Sequence, residues 1–261
     1  MKKNKTIWLL GGFGNVLFHL FYAFLLRQHG FNVSISPILT EHNLLIRISG
    51  WTVHKPIYKR FCDGYKIVRP FWGYAIPPLI HKKLGLNIGI PFINNKQHFI
   101  PPTKGENLFG YFQNKNQIAQ HKSTFIRFCT NVSKLLPEID HQDSVVHFRA
   151  GDSLIAESHT NYYQKVKFLI KDTPVTIVTD SIKSAKEFFG SGKNIKYLSS
   201  NDPFIDFVTL ASAKVIFCGP STFSWWAMHV SMNAKKIYIP QYIEENLGNF
   251  RNDIKVKILL D

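Results

Sequence analysis

From about residue 143 onward, short apolar, β-branched runs alternate with segments that read as helices, with only a few residues between them. The stretches 144–149, 175–179, 215–218 and 236–239 read as strands. Asp180 and Ser181 can cap a helix running to Phe189, and Asp202-Pro203 opens another with Pro at its first position. A further helix covers 224–233. Strands and helices at this spacing require crossover connections, and crossovers give a parallel, doubly wound sheet. The chain is therefore expected to be α/β.

The N-terminus repeats the theme once. An apolar run at 6–10 ends in Gly11-Gly12-Phe13-Gly14, an apolar helix follows over roughly 15–29, Gly30 closes it, and 31–35 alternates as a strand. The middle, 40–140, is rich in Pro, Gly and aromatics and yields little pattern beyond a helix at 124–136. Two domains are expected, 1–140 and 141–261. With 261 residues, 45% of them hydrophobic, the chain has enough apolar material for such cores.

Charge and cysteines narrow the function classes. Lys and Arg number 32 against 17 Asp and Glu, a net charge of +15. Such a chain attracts nucleic acid, anionic lipid or phosphorylated small molecules, or simply has a solvated basic surface, and charge alone does not choose among these. Cys62, Cys129 and Cys218 are far apart and form no C-x-x-C pair, which disfavours a zinc ribbon or disulfide scaffold and fits a reducing cytosol. No run reaches the roughly 18 apolar residues of a membrane span, and no cleavage site follows the first apolar helix.

Three stretches have the residue types of a phosphate site. Gly12 and Gly14 let a ligand or another backbone approach the N-terminus of the first helix, next to Asn15, or simply make a tight turn, and Leu17 breaks the dinucleotide fingerprint. His147 and Arg149 fall on one face of a strand, about 7 Å apart, where the strand ends. The planar fork of Arg149 suits two phosphate oxygens, while an ion pair with Asp152 is the structural alternative. Gly219 to Ser224 lead from a strand into a helix. The helix N–H groups and the hydroxyls of Ser221, Thr222 and Ser224 can form an anion nest, or simply a helix cap. Trp225 and Trp226 read as core. Asp206 points away from the apolar stripe of its helix, so it is either a crevice carboxylate or a surface charge. Asp180, at a strand end, is either a cap or a ligand. No P-loop, G-x-S-x-G, H-E-x-x-H or D-x-D occurs.

Taken together, four of these stretches resemble the bacterial fucosyltransferases of glycosyltransferase family 11, mostly α-1,2-fucosyltransferases. Gly11-Gly12-Phe13-Gly14-Asn15-Val16-Leu17-Phe18 is similar to the family's G-G-L-G-N-Q-L-F, and Gly110-Tyr111-Phe112-Gln113-Asn114 to its G-Y-F-Q segment. The stretch from His147 to Asp152 is similar to H-x-R-R-G-D, and Ser221-Thr222-Phe223-Ser224-Trp225-Trp226-Ala227 to S-[ST]-F-S-W-W-A. The resemblance implies a GT-B fold of two Rossmann-like domains facing a central cleft, with the acceptor mainly on the N-terminal side and the donor on the C-terminal side. It implies inverting transfer of fucose from GDP-fucose to a glycan hydroxyl, with GDP-fucose as co-substrate and neither metal nor other cofactor.

By the same resemblance, Arg149 would neutralise the β-phosphate, and His147 and Asp206 would hold guanine or ribose. Ser221, Thr222, Phe223 and Ser224 would line the phosphate turn, with Gly12, Gly14 and Asn15 bordering the sugar or diphosphate. Asp152 joins Arg149 as a catalytic candidate, with Glu157 and His159 as other sources of a base. The sequence departs from the family at Ala150, which stands for the second Arg, at Val16 and His19, which stand for glutamines, and at Val178-Thr179-Asp180-Ser181, which stands for F-S-D-D. The expected setting is cytoplasmic, in peripheral contact with the inner face of a membrane, with a glycan acceptor on a lipid carrier and no nucleic-acid partner. Two alternatives stay open: a GT-B transferase with another nucleotide sugar, and a basic binding protein on the same fold.

Overall fold

The computed structural model describes residues 4–37, 57–69, 107–108, 110–140, 142–150, 157–200 and 202–260. The chain divides into two compact units, Met1–Phe128 and Cys129–Asp261. Each is α/β with an all-parallel, Rossmann-like sheet.

In the first unit, β1 (Asn4–Trp8), α1 (Phe13–Gln28) and β2 (Asn32–Ser36) follow in quick succession. A 3-10 turn (Ile57–Arg60) and the short strands β3 (Lys66–Ile67) and β4 (Asn107–Leu108) come next, then α2 (Lys115–Gln120). The strand order is β3-β2-β1-β4. The chain thus moves outward from β1 through β2 to β3, then returns to β4 on the opposite flank of β1. Helix α1 is apolar nearly all round and is correspondingly buried from Phe13 through Leu26, except at the half-buried Asn15 and Phe24. It begins two residues before the expected start because Gly12, in extended conformation, already serves as its N-cap. Phe21 packs edge-on against Phe125 of α3 (Lys122–Ser133), at 5.4 Å between ring centroids.

The second unit holds β5 (Ser144–Phe148), α4 (Glu157–Leu169), β6 (Val175–Thr179), α5 (Ile182–Phe189), β7 (Ile195–Leu198), α6 (Pro203–Ala211) and β8 (Val215–Phe217). It is completed by α7 (Thr222–Val230), β9 (Lys236–Pro240), α8 (Gln241–Asn246) and β10 (Lys255–Leu259). The order β10-β9-β8-β5-β6-β7 places β5 and β8 side by side in the middle. From β5 the chain winds to β7 at one edge, then restarts at β8 and winds to β10 at the other. The gap between β5 and β8 is therefore the topological switch point, where ligands of open α/β sheets bind beyond the carboxyl ends of the strands.

Strand alternation sorts the two faces. Val146 and Phe148 join a core with Tyr162, Tyr163 and Val166 of α4 and with Ala185 and Phe189 of α5. Burying each Val or Phe side chain here stabilises by about 2 kcal/mol. His147 shows on the opposite face, against Phe223 of α7. Trp225 and Trp226 are fully buried, as expected, and Trp225 Nε1 donates to the Gly248 carbonyl at 2.7 Å.

The sequence pattern missed α4, β7, α8 and β10. In α4 the buried stripe Tyr162, Tyr163 and Val166 lies among Lys165, Lys167 and Lys171, so the segment reads as a basic run. Strands β7 and β10 are the sheet edges; their exposed lysines hide the strand period.

Candidate functional site

The carboxyl edge of the second sheet gathers most of the candidates. Strand β5 delivers His147 and Arg149, and β8 delivers the turn from Gly219 to Ser221. The two approach so closely that a Cβ on Gly219 would lie 2.6 Å from both the His147 Nδ1 and its carbonyl oxygen, and 2.7 Å from the Tyr163 hydroxyl. Only glycine fits, because any side chain would drive β5 and β8 apart at the switch point. Ser221 then caps α7: its Oγ accepts the Ser224 N–H at 3.3 Å. The same Oγ lies 3.4 Å from His147 Nδ1. Ser224 is fully buried, and its hydroxyl donates to the Gly219 carbonyl at 2.6 Å, fixing the turn from behind. Thr222 and Phe223, in the first turn of α7, are half-buried at the site's rim. The Phe223 ring stacks on His147 at 5.2 Å and meets the edge of Phe207 at 5.4 Å.

His147 is buried, and burial pulls its imidazole down to about 4; the Arg149 guanidinium adds to that and Asp180 opposes it. At neutral pH it is an uncharged hydrogen-bonding group, so the positive charge on the β5 end is carried by Arg149.

The backbone around Arg149 is held on both sides. Tyr163, fully buried on α4, donates its hydroxyl to the His147 carbonyl at 3.1 Å and accepts the Arg149 N–H at 3.4 Å. Burial pushes its phenol well up, so it stays protonated. One residue on, the Ala150 N–H donates to Asp180 Oδ1 at 2.8 Å. Asp180 thus tethers the end of β5, while the cap of α5 is Ser181, whose Oγ accepts the Ser184 N–H at 3.3 Å. Neither Tyr163 nor the β5 contact of Asp180 is visible in sequence. Tyr163 lies in the helix masked by lysines, and Asp180 pairs with a residue thirty positions away.

Asp206 is not a plain surface charge. It sits in the first turn of α6, half-buried, and accepts the Ser200 N–H through both oxygens at 3.1 and 3.3 Å. It therefore orders the turn beyond the carboxyl end of β7. Burial pushes its carboxyl up to about 7; the Ser200 N–H opposes this and Asp202 reinforces it. Asp202 itself caps α6, accepting the Phe204 N–H at 3.0 Å.

The first unit has its own switch point, between β1 and β4, and two motif stretches meet there. Gly11 has φ +74°, and a Cβ on it would lie 2.5 Å from Asn15 Nδ2. Gln113 Nε2 donates to Asn15 Oδ1 at 2.7 Å. Phe112, at φ +54°, turns the chain sharply ahead of Gln113 and stacks on Tyr22 at 4.3 Å. His19 packs edge-on to Phe112 at 5.3 Å, and its Nδ1 lies 2.5 Å from the Asn15 carbonyl oxygen. Gly12 and Gly14 lie at the start of α1 beside this pair. Asp152 lies outside the described residues, as does the side chain of Glu157; His159 stands near the start of α4, edge-on to Tyr242 at 5.6 Å.

No family model matches the chain, and no curated protein matches its sequence. Similar solved structures include a fucosyltransferase, NodZ from Bradyrhizobium, at 15% identity over 91% of this chain and 96% of that one, with a TM-score of 0.46. Another is the heptosyltransferase WaaC of E. coli with ADP, at 13% identity over 98% of this chain and 93% of that one, with a TM-score of 0.47. Among the described residues, no helix is long and apolar enough to cross a membrane.

Proposed function

We propose that the chain is a glycosyltransferase of GT-B type that transfers fucose from GDP-fucose, with inversion and without a metal, to a hydroxyl of a glycan, α-1,2 to galactose in a bacterial surface polysaccharide or lipopolysaccharide. One observation carries the reading. At the β5/β8 switch point, the backbone of Arg149 is clamped at the end of β5 beside the serine-capped N-terminus of α7, residues that suit a diphosphate leaving group.

In the proposed reaction the bond between the anomeric carbon and the β-phosphate oxygen breaks, and GDP departs with the electron pair. The acceptor hydroxyl attacks the opposite face and loses its proton to a base. Negative charge on the diphosphate grows toward the transition state, so a preorganised Arg149 and the α7 N-terminus would stabilise that state more than the ground state. Phe223, backed by His147 and Phe207, offers an aromatic face beside the phosphate turn, and Asp206 offers a carboxylate to guanine or ribose donors. Within the N-terminal unit, Asn15 and Gln113, joined amide to amide, would offer hydrogen bonds to sugar hydroxyls. Asp152, Glu157 and His159 remain the candidates for the base. A lipid-linked acceptor would bring the enzyme to the inner face of a membrane.

Calorimetric titration with GDP, UDP and ADP, each with and without EDTA, tests the donor half of this reading. Selective GDP binding that EDTA leaves unchanged supports it and makes GDP-fucose the donor to assay for transfer. Equal binding of the three nucleotides would refute the GDP assignment and favour a transferase of another nucleotide sugar, with Ala150 as the first departure to examine.

A further inference from the structure

The two units differ sharply in charge. Residues 1–128 hold 17 Lys and Arg against 3 Asp and Glu, a net +14. Residues 129–261 hold 15 against 14, a net +1. Nearly all the excess positive charge of the chain therefore lies in one unit. Charge asymmetry of this size marks an electrostatic partner rather than a general solubility device, for which an even spread would serve.

Part of that charge is fixed to a definite place. Among the described residues, the segment 57–69 forms one edge of the N-terminal sheet, with β3 as the edge strand beside β2. Its anchors are buried: Phe61, which meets Phe13 at 5.7 Å, and Cys62. Arg27, at the end of α1, pins the turn from below, donating Nη2 to the Gly64 carbonyl at 2.7 Å with its guanidinium 3.6 Å over the Tyr65 ring. Held in this way, the segment exposes Lys59, Arg60, Lys66 and Arg69, with Asp63 the sole acid among 57–69. One lysine would suffice to protect a two-residue edge strand from mispairing, and this edge has four cations around it.

We infer that this edge of the N-terminal unit docks on an anionic lipid surface. Each Lys or Arg near such a surface adds about 1 kcal/mol of attraction, falling off within a Debye length. Single-stranded nucleic acid fits this edge less well, because it needs exposed aromatic faces for base stacking. Of the segment's described aromatic rings, Phe61 is buried and Tyr65 is covered by Arg27. The inference rests on charge and exposure, and is independent of which sugar, if any, the protein transfers.

The test is co-sedimentation of the full chain with vesicles of phosphatidylcholine containing phosphatidylglycerol, against phosphatidylcholine alone, at low and high salt. Binding is expected only to the anionic vesicles, weakening steeply with salt. The variant K59E/R60E/K66E/R69E should lower the partition coefficient about a hundred-fold or more. The neutral variant K59Q/R60Q/K66Q/R69Q should lower it less and guards against misfolding of the first. A control with the same charge change in the other unit, K183E/K193E/K196E/K235E, should reduce it far less. Equal binding to both vesicle types, an equal loss in the control, or tighter binding to single-stranded DNA than to anionic vesicles would each overturn the inference. Vesicle binding with no nucleotide binding would leave it standing while removing the transferase reading.

Discussion

The buried hydroxyl of Tyr163 accepts the backbone N–H of Arg149 at 3.4 Å and donates to the carbonyl two residues earlier, at His147. A helix behind the sheet thus sets where the arginine leaves its strand. Tyr163→Phe removes both hydrogen bonds and leaves a buried carbonyl and a buried amide with fewer partners, a cost of about 1–3 kcal/mol. Chemical denaturation should show that loss. If the hydroxyl positions Arg149, the turnover rate for transfer should also fall while GDP affinity stays within a few-fold. A variant that is less stable but turns over normally would make Tyr163 a packing residue only.

Arg149 itself is expected to act by charge and by shape. Arg149→Ala should lower transfer by a factor on the order of 10²–10³ or more. Arg149→Lys should recover only part of this, since an ammonium cannot bridge two phosphate oxygens as the guanidinium fork does. Single-turnover measurements separate the chemical step from release. Unimpaired transfer by the Ala variant would remove Arg149 from the reaction.

Asp206 makes a pH-dependent prediction. Its carboxyl is raised to about 7 from an ordinary value near 3.8, so the folded protein binds this proton more tightly than the unfolded chain does. Its contribution to stability is fully present below about 4 and is lost as pH rises through 7. Asp206→Asn can still accept the Ser200 N–H, and it should gain stability relative to the native chain as pH climbs over that range. A base or ribose donor would favour the ionised carboxylate. Nucleotide affinity should therefore increase with pH through about 7, with proton release on binding, and the Asn variant should flatten the profile. Calorimetry in buffers of different ionisation enthalpy reads both; identical profiles would show that the ligand does not contact Asp206.

Among the described residues, three buried histidines set the acid limit. Burial lowers His19 and His147 to about 4 and His229 to about 3, from an ordinary 6.5. Their stabilising effect is complete above 6.5 and is lost progressively as pH falls toward 4. His229 is neutral by its bonding as well: Nδ1 donates to the Trp225 carbonyl at 2.8 Å, and Nε2 accepts the Phe250 N–H at 3.2 Å. Protonation removes that acceptor. Unfolding midpoints should drop between pH 6.5 and 4, less steeply in His229→Gln, although that variant starts less stable. In the Asp206→Asn background, which removes the opposing carboxyl titration, a midpoint independent of pH over this range would contradict the assignment.

The alternation of apolar runs and helix caps in the second half is a local property, and from it the sequence by itself determined a parallel α/β sheet with Ser181, Asp202 and Ser221 at or next to helix starts. It also determined that Val145, His147 and Arg149 share a face, because a strand alternates whatever surrounds it. It singled out three candidate stretches as compact strings of glycines, hydroxyls or cations, and a fourth, from Gly110 to Asn114, by its resemblance to a known family. What only the tertiary structure decided is which stretches meet. Strand order brings β5 beside β8, so that Gly219 touches His147, and β1 beside β4, so that Gln113 reaches Asn15. Tyr163 and Asp180 acquire their contacts with the β5 end in the same way. These are contacts between residues distant in the chain. They depend on sheet order and close packing, and neither leaves a period or a spacing in the sequence to be read.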